Sequence, residues 1–192
     1  MKGGENPLLR YILEDILIVF KQYVTYPVII SFVLMITLYV LRNRISNSSM
    51  GEIIRKHRWR YLFLYLFLIY FFVVISVTIF SRAPGSRSMV NWKLFETFSR
   101  DVRYLRYPIE NALLFIPFGF ILPILWNRFN NFIMCVSAGI IFSIAIEVYQ
   151  YVTERGHVQT DDLLMNVLGT IIGYCLVLCC SGIRNRVMNS RK

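Results

Sequence analysis

The sequence predicts an all-α, polytopic transmembrane helix bundle, with about five spanning helices after an N-terminal amphipathic helix. Three observations predict this fold: 56% of the 192 residues are hydrophobic, the mean hydropathy is +0.54, and the 17% that are charged cluster between long uncharged runs. A helix needs about 20 mainly apolar residues to cross the hydrocarbon core of a bilayer, and several runs reach that length. The composition is that of a membrane protein rather than of a soluble domain.

Five uncharged runs are the predicted spans, and each is long enough to cross the bilayer as a helix. They are residues 22–41, 61–81, 111–127, 129–146 and 163–183. The stretch 7–20 is shorter and carries Arg10, Glu14 and Asp15 among apolar residues. This mixture predicts an amphipathic helix that lies in the membrane interface.

The pattern divides the chain into three parts. Residues 1–58 hold the amphipathic segment, the first span and a basic loop, residues 59–183 form the transmembrane core, and residues 184–192 are a basic tail. No small-residue cleavage site follows a short apolar stretch near the start, so we expect the first span to insert and remain. The four cysteines lie inside predicted spans without a zinc-type spacing, and we expect them to pack as small apolar side chains.

The net charge of +10 does not indicate nucleic-acid binding, because the basic residues flank the spans and form no separate domain. We expect them to face anionic lipid head groups, each contributing about 1 kcal/mol. The positive-inside rule barely decides the orientation, since five spans divide the 21 basic residues almost evenly between the two sides. We interpret the basic loop 82–108 as extracytoplasmic, where a cationic segment suits an anionic partner.

Prolines mark two places in the predicted bundle. Pro117 and Pro123 lie inside the third span, and each removes a helix hydrogen bond, which predicts a broken or kinked helix. Pro84 ends the second span and opens the following loop.

Polar residues gather at those ends of the last four spans that must face the same side of the membrane, because successive spans alternate in direction. We call this group the polar layer. It consists of Arg82, Glu110, Asn111, Glu147, Gln150, Asp161, Asp162 and Asn166. A carboxylate deep in a bilayer costs about 2.5 kcal/mol or more, so these groups should face a partner or water. Arg82 is the predicted partner for the carboxylates.

Spacing within the last two spans supports a shared site. Gly139, Ser143 and Glu147 form one stripe on the fourth span, continued by Gln150. A second stripe, on the fifth span, consists of Asp162, Asn166, Gly169 and Gly173. Small residues allow helices to approach closely, so we expect the two stripes to pack together.

Simpler interpretations of these residues stay open. Asp161 and Asp162 would also be favourable at the positive end of a helix dipole without forming a site. Gly169 and Gly173 are better explained by packing than by ligand contact. His157 precedes Asp161 by one helical turn, but no paired-histidine spacing supports a metal site, and we predict neither metal nor cofactor.

Three segments and one flanking element resemble the VanZ-like family of bacterial membrane proteins. They are NALLFIPFGFILP at 111–123, IEVYQ at 146–150, TDDLLMNVLGTIIG at 160–173, and SRAPG at 81–85. The resemblance covers about residues 76–181. It implies a multi-pass protein of the bacterial cell membrane with a role in resistance to teicoplanin-type glycopeptides, and no settled catalytic activity. It also implies that the family's polar positions correspond to Arg82, Asn111, Glu147, Gln150, Asp162 and Asn166.

Three functions remain open from the sequence. The first is a non-enzymatic envelope protein that binds an anionic lipid-linked wall precursor or a lipoglycopeptide. The second is an intramembrane enzyme on a lipid-linked or head-group substrate, with Glu147 and Asp162 as general acid–base candidates and Arg82 on a phosphate. The third, a transporter subunit, ranks lowest because no inverted repeat is visible. The substrate and the oligomeric state do not follow from the sequence.

Overall fold

A computed structural model describes residues 7–45, 50–80, 85, 90–91, 102–155 and 158–189. This part of the chain contains six α-helices and one short pair of strands. In chain order they are α1 (Pro7–Tyr23), α2 (Thr25–Ile45), α3 (Met50–Ile75), β1 (Val90–Asn91), α4 (Val102–Leu125), α5 (Phe132–Val152), β2 (Val158–Gln159) and α6 (Thr160–Asn189). A π-helical turn, Ser76–Phe80, extends α3, and a 3₁₀ turn, Asn127–Asn130, precedes α5.

In the described part of the chain, four helices are long and apolar enough to cross a membrane. Their spanning segments are Trp59–Thr78, Tyr104–Leu125, Phe132–Val152 and Thr160–Cys180. A fifth crossing is available if the bent pair Pro7–Tyr23 and Thr25–Leu41 acts as one broken span. The predicted all-α bundle and the multi-pass membrane protein are thus confirmed.

The N-terminal helix pair bends by 51°, close to the predicted boundary between the amphipathic helix 7–20 and the first span 22–41. α1 ends at Tyr23, and α2 begins at Thr25. Pro27 explains the break, because it has no N–H to donate to the carbonyl of Tyr23 and therefore stands better in the first turn of a new helix. The predicted amphipathic helix is present as α1, and its position in the membrane interface stays a prediction.

α4 runs without interruption through Pro108, Pro117 and Pro123, so the prolines do not break this span. One of the freed carbonyls has a visible replacement partner. Pro123 cannot donate to the carbonyl of Gly119, and the Cys135 thiol of α5 lies 3.9 Å from that oxygen as a weak donor. A neighbouring helix thus compensates for the lost bond, as membrane helices require.

α4 and α6 approach each other through glycine. A Cβ atom on Gly169 would collide with the carbonyl oxygen of Ala112, and one on Gly173 with that of Ile116. Because the contact of Gly173 follows that of Gly169 by four residues on both helices, α4 and α6 run parallel. The predicted packing role of both glycines is confirmed, and their contacts are with α4, whereas the predicted meeting of the two stripes is made by Asn166 with Ser143 of α5.

α5 lies antiparallel to α6. Gly139 faces the Thr170 side chain, and the Asn166 amide hydrogen-bonds to Ser143. Residue numbers therefore increase along α5 in the direction in which they decrease along α6. Phe142 of α5 stacks on Phe118 of α4, with ring centroids 5.3 Å apart. Since lipid gives helices no hydrophobic reason to associate, close approach, ring packing and hydrogen bonds hold this bundle together.

Candidate polar site

The end of α3, the start of α4, the end of α5 and the start of α6 meet at one end of the bundle. Gln150 Nε2 of α5 donates to the main-chain oxygen of Thr78 over 2.9 Å, which joins the ends of α5 and α3. β1 pairs in parallel with β2, Val90 with Val158, and this ties the loop after α3 to the residues that lead into α6. This end carries the described members of the polar layer.

Thr78 lies in the π-helical turn Ser76–Phe80 that follows α3, and its carbonyl accepts a hydrogen bond from α5. A π turn widens the helix and disturbs the regular ladder of main-chain hydrogen bonds, and such turns are frequent at functional sites. The Thr78 hydroxyl donates to the Val74 oxygen over 2.7 Å, which satisfies it locally. The carbonyl of the same residue therefore orients the Gln150 amide.

Gln150 is only 2% exposed, and its amide has a fixed orientation. A carbonyl oxygen can only accept, so the group that faces Thr78 must be the NH₂. The amide oxygen, Oε1, is buried and has no hydrogen-bond partner among the residues that the structure describes. Such a buried acceptor is costly, because no solvent reaches it to replace the missing partner.

Asn166 repeats this arrangement deeper in the bundle. Its Nδ2 donates to Ser143 Oγ over 2.8 Å, and its main-chain oxygen accepts from the Thr170 hydroxyl over 3.0 Å. The side chain is 4% exposed, and within the described ranges its Oδ1 is a second buried acceptor that has no partner. In both Gln150 and Asn166 the amide nitrogen donates a hydrogen bond, while the amide oxygen has no partner among the described residues.

Glu147 and Asp162 lie between these two amides. Glu147 is one turn beyond Ser143 on α5, and Asp162 is one turn before Asn166 on α6. Because the two helices are antiparallel and Ser143 meets Asn166, the carboxylates fall at the same level of neighbouring helices. Asp162 is 8% exposed, and Glu147 is half-buried with its Oε2 atom enclosed.

The remaining predicted residues are placed less centrally. Asp161 is buried in the first turn of α6, beside Asp162, where the positive end of the helix dipole favours a carboxylate. Asn111 is half-buried on α4, next to the Ala112 carbonyl that meets α6. Arg82, Pro84 and His157 lie outside the described residues, so the predicted pairing of Arg82 with the carboxylates stays a prediction.

A second polar contact joins α1 to α4, and the sequence analysis did not predict it. Arg106 Nη1 lies 3.1 Å from Asp15 Oδ2, and Arg106 Nη2 donates to the Tyr107 hydroxyl over 3.0 Å. The guanidinium also lies over the Tyr11 ring, 5.7 Å from its centroid. The Glu110 carboxyl, one turn further along α4, also lies near Asp15. The sequence feature that could have indicated this contact is the pair of charged residues, Arg106 and Glu110, beside an apolar run, since a charge within a membrane helix needs a partner.

Within the described ranges, no group of three or more His, Cys, Asp and Glu side chains could hold a metal ion. Among the described residues at this end of the bundle, two buried amide oxygens can accept hydrogen bonds, and two carboxylates lie between them.

The sequence pattern that defines the VanZ/LLP1 family matches residues 59–181, which is more than half of the chain. The chain belongs to the VanZ/LLP1 family. Among curated proteins, Protein VanZ of Enterococcus faecium is 28% identical over 87 residues. This match covers 45% of the present chain and 51% of the relative, so it spans about half the length of each. No solved structure matches the chain.

The VanZ/LLP1 region contains α3 from Trp59 onward, α4, α5 and most of α6. It therefore includes every described residue of the polar layer, together with Ser143 and Thr78. α1 and α2 lie outside it, so the contact of Asp15 with Arg106 joins the VanZ/LLP1 region to a segment that the family pattern does not cover.

Proposed function

We propose that this protein lowers the susceptibility of a bacterial cell to teicoplanin-type lipoglycopeptides. In this proposal the polar layer lies at the extracytoplasmic face and binds either a lipid-linked wall precursor, which is anionic, or the antibiotic. Membership in the VanZ/LLP1 family and similarity to Protein VanZ support the resistance role. The composition of the segment before α4 supports the outer location, since its four basic residues, Arg82, Arg87, Lys93 and Arg100, would meet the phosphates of a lipid-linked precursor.

One observation carries the binding proposal: two buried amide oxygens in one layer, Gln150 Oε1 and Asn166 Oδ1, have no partner in the described part of the chain. Retaining such groups inside a membrane protein opposes stability, and polar residues at membrane depth are commonly functional. A ligand that enters from the membrane face would satisfy them.

The direct test is expression of the protein in a teicoplanin-susceptible Gram-positive host. We expect a several-fold higher minimal inhibitory concentration of teicoplanin, and a smaller change for a glycopeptide that has no lipid chain. The protein should be quantified in isolated membranes of the same cells. Unchanged teicoplanin susceptibility in cells that contain the folded protein in their membranes would contradict the proposal.

A second candidate is an intramembrane enzyme, and the pairing of Glu147 with Asp162 at one level of α5 and α6 favours it. Neighbouring carboxylates in a poorly solvated place can divide the roles of general acid and general base. Such an enzyme would change the chemical composition of lipids or wall precursors, whereas a binding protein would not.

Mass spectrometry of lipids and lipid-linked precursors separates the two candidates. For the enzyme, expression of the wild-type protein produces a new species, and the Asp162→Asn variant does not. For the binding protein, the profiles of cells with and without the protein agree while teicoplanin susceptibility differs.

A further inference from the structure

α1 is attached to the bundle by few contacts. All of α1 is described, and Ile12 alone among its side chains is buried. Its polar attachment is the guanidinium of Arg106, which lies 3.1 Å from Asp15 Oδ2 and over the Tyr11 ring. Tyr11 and Asp15 are about one turn apart and share the face of α1 that contacts α4. A helix held by one buried side chain and one partly exposed ion pair can separate from its neighbour at a small cost.

The guanidinium of Arg106 has a second carboxyl group within reach, on its own helix. Glu110 follows Arg106 by four residues on α4, and residues at this spacing are neighbours on a helix surface. Among the described residues, Glu110 Oε1 and Arg106 Nε are both buried and have no hydrogen-bond partner. An acceptor and a donor are thus left unsatisfied one turn apart. A basic residue before an acidic one is the less favourable order in a helix, which favours Asp15 as the partner of the guanidinium.

The two acids on these helices oppose each other. The Glu110 carboxyl lies near Asp15 as well as near Arg106. Two carboxylates beside one guanidinium carry an excess negative charge in a partly buried place, where like charges repel. Glu110 therefore weakens the contact of α1 with α4 in two ways, because it repels Asp15 and offers Arg106 another partner.

α1 lies against two parts of the bundle that border the polar layer. It contacts α4, on which Glu110 is a member of that layer, and the π-helical turn Ser76–Phe80, whose Thr78 carbonyl holds Gln150. Separation of α1 would uncover this side of the layer and would allow Arg106 to pair with Glu110.

We propose that α1 is a releasable cover on this side of the polar layer, and that Arg106 controls it by exchanging Asp15 of α1 for Glu110 of α4. In the docked state, which the structure shows, the guanidinium pairs with Asp15. In the released state it pairs with Glu110, which satisfies the two unpartnered atoms, and α1 moves away from α4. The exchange does not depend on the proposed function, because it concerns the position of α1 whatever the polar layer binds.

The test measures the distance between α1 and the bundle in the full-length protein in lipid nanodiscs. Ketone-bearing amino acids at Leu13 and Ile141, which are 50% and 67% exposed, receive spin labels that do not react with the native cysteines. Double electron–electron resonance then resolves docked and released populations. Asp15→Asn should raise the ratio of released to docked protein about two- to fivefold, as expected for loss of a partly exposed ion pair.

Glu110→Gln distinguishes the exchange from a purely structural cluster. It removes the alternative charged partner of Arg106, so it should lower the ratio of released to docked protein about two- to fivefold in the Asp15→Asn background, where the released population is larger. In a purely structural cluster, loss of either acid would increase release. Glu14→Gln is the matched control, because Glu14 is the neighbouring acid, pairs with Arg10 within α1, and should leave the ratio unchanged.

Three results would overturn the proposal. The first is a ratio that Glu110→Gln leaves unchanged or increases in the Asp15→Asn background. The second is a single docked distance in every variant. The third is an effect of Glu14→Gln as large as that of Asp15→Asn, which would mean that any loss of negative charge on α1 has the same result. None of them bears on teicoplanin susceptibility in cells, so failure of the exchange and failure of the proposed function are distinguishable.

Discussion

The bundle of α4, α5 and α6 and the N-terminal pair of α1 and α2 are held in place by different means. In the bundle, glycines bring main chains into contact, and buried amides bond from helix to helix. In the N-terminal pair, most large apolar side chains are exposed to the surroundings, and a partly exposed ion pair, Asp15 with Arg106, reaches α4. The comparison indicates that geometry in the bundle is fixed by steric fit, whereas α1 is positioned by a polar contact.

The largest expected effect comes from adding volume where α6 meets α4. Gly169→Leu should lower the free energy of unfolding by about 3 kcal/mol or more, because its side chain would have to displace the Ala112 main chain. Ala145→Leu, on the exposed face of α5, is the control and should change stability little. Thermal unfolding in detergent measures both, and equal stability of the two variants would mean that the α4–α6 contact is not tight.

A smaller loss is expected from a hydrogen bond at the other end of the bundle. The Tyr174 hydroxyl donates to the Asn130 oxygen over 2.5 Å and holds α6 against the turn before α5. Tyr174→Phe removes this bond while the ring remains, so stability should fall by about 1 kcal/mol. The same unfolding assay measures it. A loss as large as that of Gly169→Leu would argue against steric fit as the main determinant.

The smallest expected effect concerns the N-terminal pair. A double-mutant cycle with Asp15→Asn and Arg106→Gln should give a coupling energy of about 0.5 to 1 kcal/mol, since the two side chains are only 30% and 25% exposed. The control is the cycle of Arg10→Gln with Glu14→Gln, an exposed pair within α1, for which we expect about 0.3 kcal/mol. Equal couplings would show that the contact with α4 is no stronger than an ordinary surface pair.

The sequence predicted the spans well where bilayer thickness determines their length. Runs of uncharged residues located α3, α5 and α6, because a helix must remain apolar for about 20 residues to cross. α4 was predicted to begin at Asn111, but its helix begins at Val102, since Arg106 and Glu110 interrupt the apolar run and find partners on α1. The division of the N-terminal segment into two helices was predicted to within three residues, because the charges of Arg10, Glu14 and Asp15 distinguish it from the uncharged run that follows.

The candidate site was predictable only as far as helix direction and periodicity reach. The alternating direction of the spans and the spacing of about one helical turn predicted that Glu147, Asp162 and Asn166 lie near the same membrane face. The role of Thr78 had no sequence signal, because its contribution is a main-chain oxygen, which every residue carries. The contact of Asp15 with Arg106 was not foreseen, because its partners are far apart in the chain.

The central claim is that protection against teicoplanin depends on the buried acceptors of the polar layer and not merely on a folded bundle. The measurement that tests it most directly is teicoplanin susceptibility of cells that contain equal membrane amounts of the wild-type protein, Asn166→Leu or Tyr174→Phe. We predict that Asn166→Leu loses protection although it folds, and that Tyr174→Phe retains protection although it is less stable. Full protection by Asn166→Leu would contradict the account.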